Sequence, residues 1–155
     1  MKEIVLVGAG GHCKSCIEII EEEKKFKIIG IVDNIKKRSV FGYPIIGKDK
    51  DFEKIRKTTK YAFITVGQIK SSSLRRKVFE KLQKLNFKLP VIISPRAQVS
   101  KRAILKQGTI VHHDVCINSN VKIGKNCIIN TKSIIEHDVN ISDFCHISTR
   151  ATVNG

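Results

Sequence analysis

A chain of 155 residues, 41% of them hydrophobic, has room for one large or two small domains with their own apolar cores. Its 29 Lys and Arg against 14 Asp and Glu give a formal charge of +15, a field that attracts anions. Basic and acidic residues are nevertheless interleaved, as in EEEKKFK at 21–27, and two Tyr with no Trp offer little for bases to stack on, which argues against nucleic acid as the partner. A lysine-rich solvated surface accounts for the charge, and phosphate-bearing small molecules would profit from it.

No apolar run approaches the roughly 18 residues that span a bilayer, and the opening MKEIVLVGAGG has no cleavage pattern after its short apolar core. The five cysteines are scattered and odd in number, unlike a secreted disulfide framework. A soluble cytoplasmic protein without membrane association is expected.

The β-branched run at 3–7 ends in GAGGH at 8–12 and passes into a helical pattern, the strand, glycine turn and helix that open a βαβ unit. Gly8, Gly10 and Gly11 would let the backbone approach a phosphate at a helix N-terminus, with His12 beside them. The third glycine of a full dinucleotide fingerprint would fall at Cys13, so the match is incomplete. A second strand over 27–32 ends in Asp33 and Asn34, where an acidic side chain is placed to meet a ribose or base, although Asp-Asn is also ordinary turn chemistry. Residues 35–48, with Gly42 and Pro44, read as a loop, 49–57 as a short helix and 61–66 as a third strand closed by Gly67. Leu74, Val78, Leu82 and Leu85 mark an amphipathic helix after three serines, and 88–93 reads as a fourth strand. The result is a small α/β sheet of about four parallel strands whose ligand loops are 8–12, 33–34 and 67.

From Ile93 an aliphatic residue returns at every sixth position: Val99, Leu105, Val111, Ile117, Ile123, Ile129, Ile135, Ile141, Ile147 and Val153. Two residues before each stands a small or β-branched one in most cases, such as Ala97, Thr109, Cys127, Ser133 and Cys145. Period six fits neither a helix nor a hairpin meander. It fits short parallel strands turning three times per coil, a hexapeptide β-helix. The change of period divides the chain into an α/β domain over 1–93 and a β-helix over 94–155.

Cys13-x-x-Cys16 has redox spacing but lies in a glycine-led helix, so core packing is the preferred reading. His112, His113, Asp114 and Cys116 have metal-ligand types, but neighbours in a β-helix alternate between inside and outside; no metal site is expected and these read as turn residues. His137 followed by Asp138 sits on an outward turn. An imidazole is suited to taking a proton near neutral pH, and a carboxylate beside it would fix its tautomer, although a surface histidine in a turn is common.

The strings GAGGH at 8–12, VDN at 32–34, GYPIIG at 42–47, SPRAQVS at 94–100, CIINT at 127–131, IEHDV at 135–139 and DFCHI at 143–147 resemble the NeuD/PglD-type sugar acetyltransferases across the whole chain. The resemblance implies a Rossmann-like nucleotide-sugar domain followed by a left-handed parallel β-helix that forms a homotrimer and binds acetyl-CoA between subunits. It implies His137 as catalytic base supported by Asp138, His146 near the acetyl group, and Gly8, Gly10, Gly11, His12, Asp33, Asn34 and Gly67 around the nucleotide sugar, with Arg75 a further phosphate candidate. His137 and His146 are nine residues apart, half a coil, so they face different ways in one chain and would meet only across a trimer interface. Outward Ile128 and Ile134 are the apolar residues expected there.

Ser142 departs from a glycine in the family pattern, and Thr149-Arg150 from Pro-Gly, which predicts one altered turn. The resemblance also implies further hexads, whereas the chain stops at Gly155 after about three and a half coils, so the β-helix reads as truncated. The function expected is acetyl transfer from acetyl-CoA to an amine or hydroxyl of a nucleotide-linked amino sugar or a sialic-acid-type sugar. A non-catalytic nucleotide-sugar-binding or assembly module is the alternative.

Overall fold

A computed structural model describes residues 1–35 and 38–155. It divides into two compact units, Met1–Pro90 and Val91–Gly155.

In the first unit the strands are β1 (Lys2–Val7), β2 (Phe26–Val32), β3 (Ser39–Val40), β4 (Tyr43–Gly47) and β5 (Tyr61–Ile64); the helices are α1 (Gly11–Glu23), α2 (Phe52–Thr58) and α3 (Ser73–Lys84). The sheet order is β3-β4-β2-β1-β5, with β1, β2, β4 and β5 parallel. The central strand β1 buries Ile4, Val5, Leu6 and Val7, as a strand covered on both faces must. Helix α1 lies on β2 and α3 on β5, and Cys13, Cys16, Ile17, Ile19 and Ile20 of α1 and Val78, Phe79 and Leu82 of α3 are all buried.

Two expectations change here. The stretch read as a loop holds β3 and β4, joined antiparallel through Phe41 and Gly42, both at positive φ (49° and 82°), a two-residue hairpin turn. β4 then extends the sheet by pairing with β2, while Lys36 and Lys37 lie outside the described residues. The predicted strand over 88–93 contributes one bridge, Lys88 to Tyr61, and its last two residues already form a rung of the second unit. The division accordingly falls after Pro90, three residues before the expected junction.

The second unit is a left-handed parallel β-helix of two-residue rungs. They are β6 (Ile92–Ile93), β7 (Gln98–Val99), β8 (Ile104–Leu105), β9 (Ile110–Val111), β10 (Cys116–Ile117), β11 (Lys122–Ile123), β12 (Ile128–Ile129), β13 (Ile134–Ile135), β14 (Asn140–Ile141), β15 (His146–Ile147) and β16 (Thr152–Val153). They stack into three parallel sheets, β6-β9-β12-β15, β7-β10-β13-β16 and β8-β11-β14. Ile92 pairs with Ile110 and Ile110 with Ile128, so a coil is 18 residues (110 − 92).

The second residue of each rung points inward and stacks on its counterparts: Val111, Ile117, Ile123, Ile129 and Ile135 are 2% exposed or less. The small residues before them, Val115, Val121 and Cys127, complete the same core. Burying an aliphatic side chain of this size contributes about 1.5–3 kcal/mol. Corners are turned by a left-handed residue every six positions: Gly108, Asp114, Asn120, Asn126, Lys132, Asp138, Phe144 and Arg150, with φ between 51° and 76°. Asp and Asn tolerate this region better than other side chains, which explains their recurrence. Arg150 adopts the corner conformation of its counterparts, so the turn predicted to be altered is kept. Ser142 is exposed at the position that Gly124 fills one coil below.

Candidate active site

In the first unit the strand ends gather the predicted binding residues. Gly8 sits at φ +110°, and a Cβ there would come within 2.8 Å of the Val66 backbone, so only glycine lets β1 leave the sheet beside β5. The buried Thr65 hydroxyl donates to the Gly8 carbonyl at 2.5 Å and fixes that approach. Gly10 caps α1, and a Cβ on Gly10 or Gly11 would meet no protein atom within 4 Å. Gly67 lies against His12, 3.5 Å between the built Cβ and the His12 Cβ.

Asp33 closes the group: its carboxylate accepts the Ala9 N–H at 2.6 Å and the Ile35 N–H at 2.9 Å, binding the end of β2 to the glycine turn. The Asn34 amide oxygen accepts the Asp49 N–H at 3.4 Å. A cleft of about 100 Å³ lies here between Gly8, Asp33, Asn34, Val66 and Leu74, at the carboxyl ends of the strands where ligands of such sheets bind.

Arg75 has a different role from the one its charge suggested. It is fully buried, and its guanidinium donates to the carbonyls of Ile64 and Val66 at 3.2 and 2.6 Å, clamping the end of β5. The phosphate assignment is corrected accordingly. Sequence reasoning missed Thr65 and the clamp, because neither a buried Thr nor an Arg on a helix face carries a spacing signal. Cys13 and Cys16 are buried, and burial pushes the Cys16 thiol far up, so these residues pack the helix.

In the second unit His137 and Asp138 occupy the corner between β13 and β14. Asp138 is the left-handed residue (φ 65°), and its N–H donates to the Ser119 carbonyl of the coil below. That anchor turns its carboxylate back to His137, Nδ1 to Oδ2 2.9 Å. The other oxygen accepts the Asn120 amide at 2.6 Å. Hydrogen bonds from Asn120 and His137 hold the Asp138 carboxyl below the usual carboxylate range. With Nδ1–H committed to a carboxylate, the Nε2 lone pair is the one left to take a proton. His137 is 69% exposed, so an incoming group can reach it. Gly155, one coil on, stacks on this corner: a Cβ there would lie 2.6 Å from the His137 carbonyl oxygen and 3.2 Å from its ring. Asn120 and Gly155 were not foreseen, although the 18-residue column could have found both.

His146 lies elsewhere, on the outer face of β15, with Nε2 3.1 Å from the Asn130 amide. The chain thus puts His146 on the face opposite the His137 corner, with the β14 sheet between them. His112 is 2% exposed rather than on an open turn, and burial, with His113 and His146 nearby, lowers its pKa to about 4. His113 bonds Ser94 at 2.8 Å and Asp114 pairs with Arg96 at 3.0 Å. Among the described residues, no group of three or more His, Cys, Asp or Glu is placed to hold a metal ion. Ile128 is buried within the single chain, which corrects its placement on an open outward face, whereas Ile134 is 38% exposed. Among the described residues no helix is long and apolar enough to cross a membrane.

The PglD N-terminal domain family matches residues 3–82. PerB from Caulobacter crescentus, solved with CoA and GDP-perosamine, superposes with a TM-score of 0.92 at 30% identity, covering 100% of this chain and 72% of that one. The acetyltransferase domain of PglB from Neisseria gonorrhoeae FA1090, solved with acetyl coenzyme A, gives 0.90 at 30% identity over 97% of this chain and 72% of that one. WeeI from Acinetobacter baumannii AYE shares the fold at 23% identity, TM-score 0.84, over 100% of this chain and 73% of that one. No curated protein sequence matches the chain.

A glycine-turn α/β unit joined to a hexapeptide β-helix with a histidine and carboxylate at an exposed corner defines the class, the hexapeptide-repeat acetyltransferases. Within it, the chain belongs to the PglD/NeuD-type sugar acetyltransferases.

Proposed function

We propose that this acetyltransferase moves the acetyl group of acetyl-CoA onto the amine of a nucleotide-linked amino sugar, with His137 as general base. The observation that carries the reading is the exposed His137 ring held at Nδ1 by Asp138 at 2.9 Å. The sugar amine attacks the thioester carbonyl, the C–N bond forms as the C–S bond breaks, and the proton lost by the amine passes to His137 Nε2 and on to the departing thiolate. Asp138 stabilises the imidazolium that forms in between. Nitrogen rather than hydroxyl acceptance draws support from the perosamine N-acetyltransferase of Caulobacter crescentus, which was also solved with CoA and GDP-perosamine after replacement of one histidine.

In this reading the first unit binds the nucleotide through Gly8, Gly10, Gly11, His12, Asp33, Asn34 and Gly67. Its cleft, about 100 Å³, is below the roughly 300–1,000 Å³ usual for ligand pockets, so the loops must part around the ligand. His146, held by Asn130, serves the acetyl-CoA side. Because it lies on the face opposite the His137 corner, a second copy completes the site in this reading, which makes the protein a homotrimer with exposed Ile134 on its contact face. Five free cysteines fit a reducing cytoplasm.

The test is to incubate the chain with acetyl-CoA and, separately, UDP- and GDP-linked 4-amino sugars and a sialic-acid-type sugar, and to weigh the products. One added acetyl group on a nucleotide amino sugar is expected. Acetylation of the sialic-acid-type sugar alone would move the acceptor, and no product with any of them would defeat the reading.

A further inference from the structure

The side chains of His137 and Asp138 are both mostly in solvent, 69% and 63% exposed. An ion pair so placed contributes little by itself, because water competes for it and two mobile side chains must be held in one arrangement. What holds this one lies a coil below. Asn120 and Asp138 stand one coil apart and both turn the corner in the left-handed region, at φ 61° and 65°. The Asp138 N–H donates to the Ser119 carbonyl at 3.1 Å, which sets the two corners in register. The Asn120 amide then donates to Oδ1 at 2.6 Å, leaving Oδ2 to face His137 Nδ1 at 2.9 Å. The Asp138 carbonyl accepts the Asn140 amide at 3.4 Å.

Another corner column holds its aspartate differently. Both oxygens of Asp114 accept from the Arg96 guanidinium one coil below, at 3.1 and 3.0 Å. A cation in that place neutralises the carboxylate. A neutral amide orients it and leaves its charge for an imidazolium.

We infer that Asn120 is a positioning residue for the acetyl transfer: acting through Asp138, it fixes the Nδ1–H tautomer of His137 and so keeps the Nε2 lone pair free for the acceptor's proton. The inference rests on the proposed role of His137 as base and adds a third member to that pair. Hydrogen bonds from Asn120 first, and from His137 second, hold the Asp138 carboxyl below its usual range, and His137 is the titratable group it faces.

The experiment compares Asn120→Gly and Asn120→Asp with the parent chain. Gly and Asp both tolerate the left-handed corner, so a loss of activity does not arise from backbone strain. Nitrogen-15 NMR of the imidazole reads the tautomer, and carbon-13 NMR of the carboxyl reads the Asp138 titration, both without turnover. Asn120→Gly should admit the Nε2–H tautomer, raise the pKa of Asp138 and lower kcat about three- to tenfold at unchanged KM for both co-substrates. Asn120→Asp has the same shape with an acceptor where the donor was, and should lower kcat further, since two adjacent carboxylates oppose each other's ionisation. In an Asp138→Asn background, Asn120→Gly should cost nothing more, as befits a residue that acts through another. An unchanged tautomer or an unchanged kcat in Asn120→Gly overturns the inference, as does a loss that adds in full to that of Asp138→Asn. If the parent chain releases no thiol with any acceptor while the tautomer still shifts in Asn120→Gly, the positioning of His137 stands and the transfer reading falls.

Discussion

The buried imidazole of His112 makes a sharp demand on stability. Burial, reinforced by His113 and His146, lowers its pKa to about 4 from an ordinary 6.5, so the folded chain takes up its proton later than the unfolded chain. Between those values the unfolded state binds more protons, and stability falls as pH falls. Integrating from pH 7.5 to 4.5 with these two pKa values gives a loss of about 2–3 kcal/mol from this one group. Most of it develops below pH 6.5, and it is complete below pH 4. Urea unfolding of the parent and of His112→Gln at pH 7.5, 6.0 and 4.5 isolates the contribution. The variant should be less stable at pH 7.5 and should lose about 2–3 kcal/mol less than the parent on acidification. Parallel losses in the two proteins would refute the burial argument.

Asp138→Asn should lower kcat less than removal of the base itself, because the ring stays and only its charged partner goes, and Asn120→Ala should lower it less again; steady-state thiol release orders the variants. Gly124→Ala would place a Cβ 2.5 Å from the Asp143 backbone nitrogen and side chain in the next coil, so a loss of about 1–3 kcal/mol is expected from urea unfolding. Lys132 carries a left-handed corner at φ 60°, and Lys132→Gly should raise stability by about 0.5–1 kcal/mol as that strain is released, read from the same transition.

The β-helix was legible because one inward aliphatic per hexad is an unusual period, and the structure places Val111, Ile117, Ile123, Ile129 and Ile135 inside as that period requires. The glycine turn was legible because Gly8 alone tolerates its φ of +110° against Val66. The hairpin of β3 and β4 was not, since Gly42 and Pro44 are as much loop residues as turn residues and the strands are only 2 and 5 residues long. Nor was the burial of His112, Ile128 or Arg75. Corner and outer-face positions recur every six residues whatever covers them, and what covers them depends on residues distant in sequence. The His137–Asp138 pair was visible as a dipeptide, but its support by Asn120 appears only when residues 18 apart are stacked.

The central claim is that His137 removes the amine proton, and its most direct test is the rate of thiol release from acetyl-CoA with a nucleotide-linked amino sugar for the parent chain and for His137→Ala. A positioned base contributes about 10²–10⁴-fold, so kcat should fall by that factor while the affinity for the nucleotide sugar, measured by calorimetry, is unchanged. A His137→Ala chain that turns over at the parent rate would contradict the account.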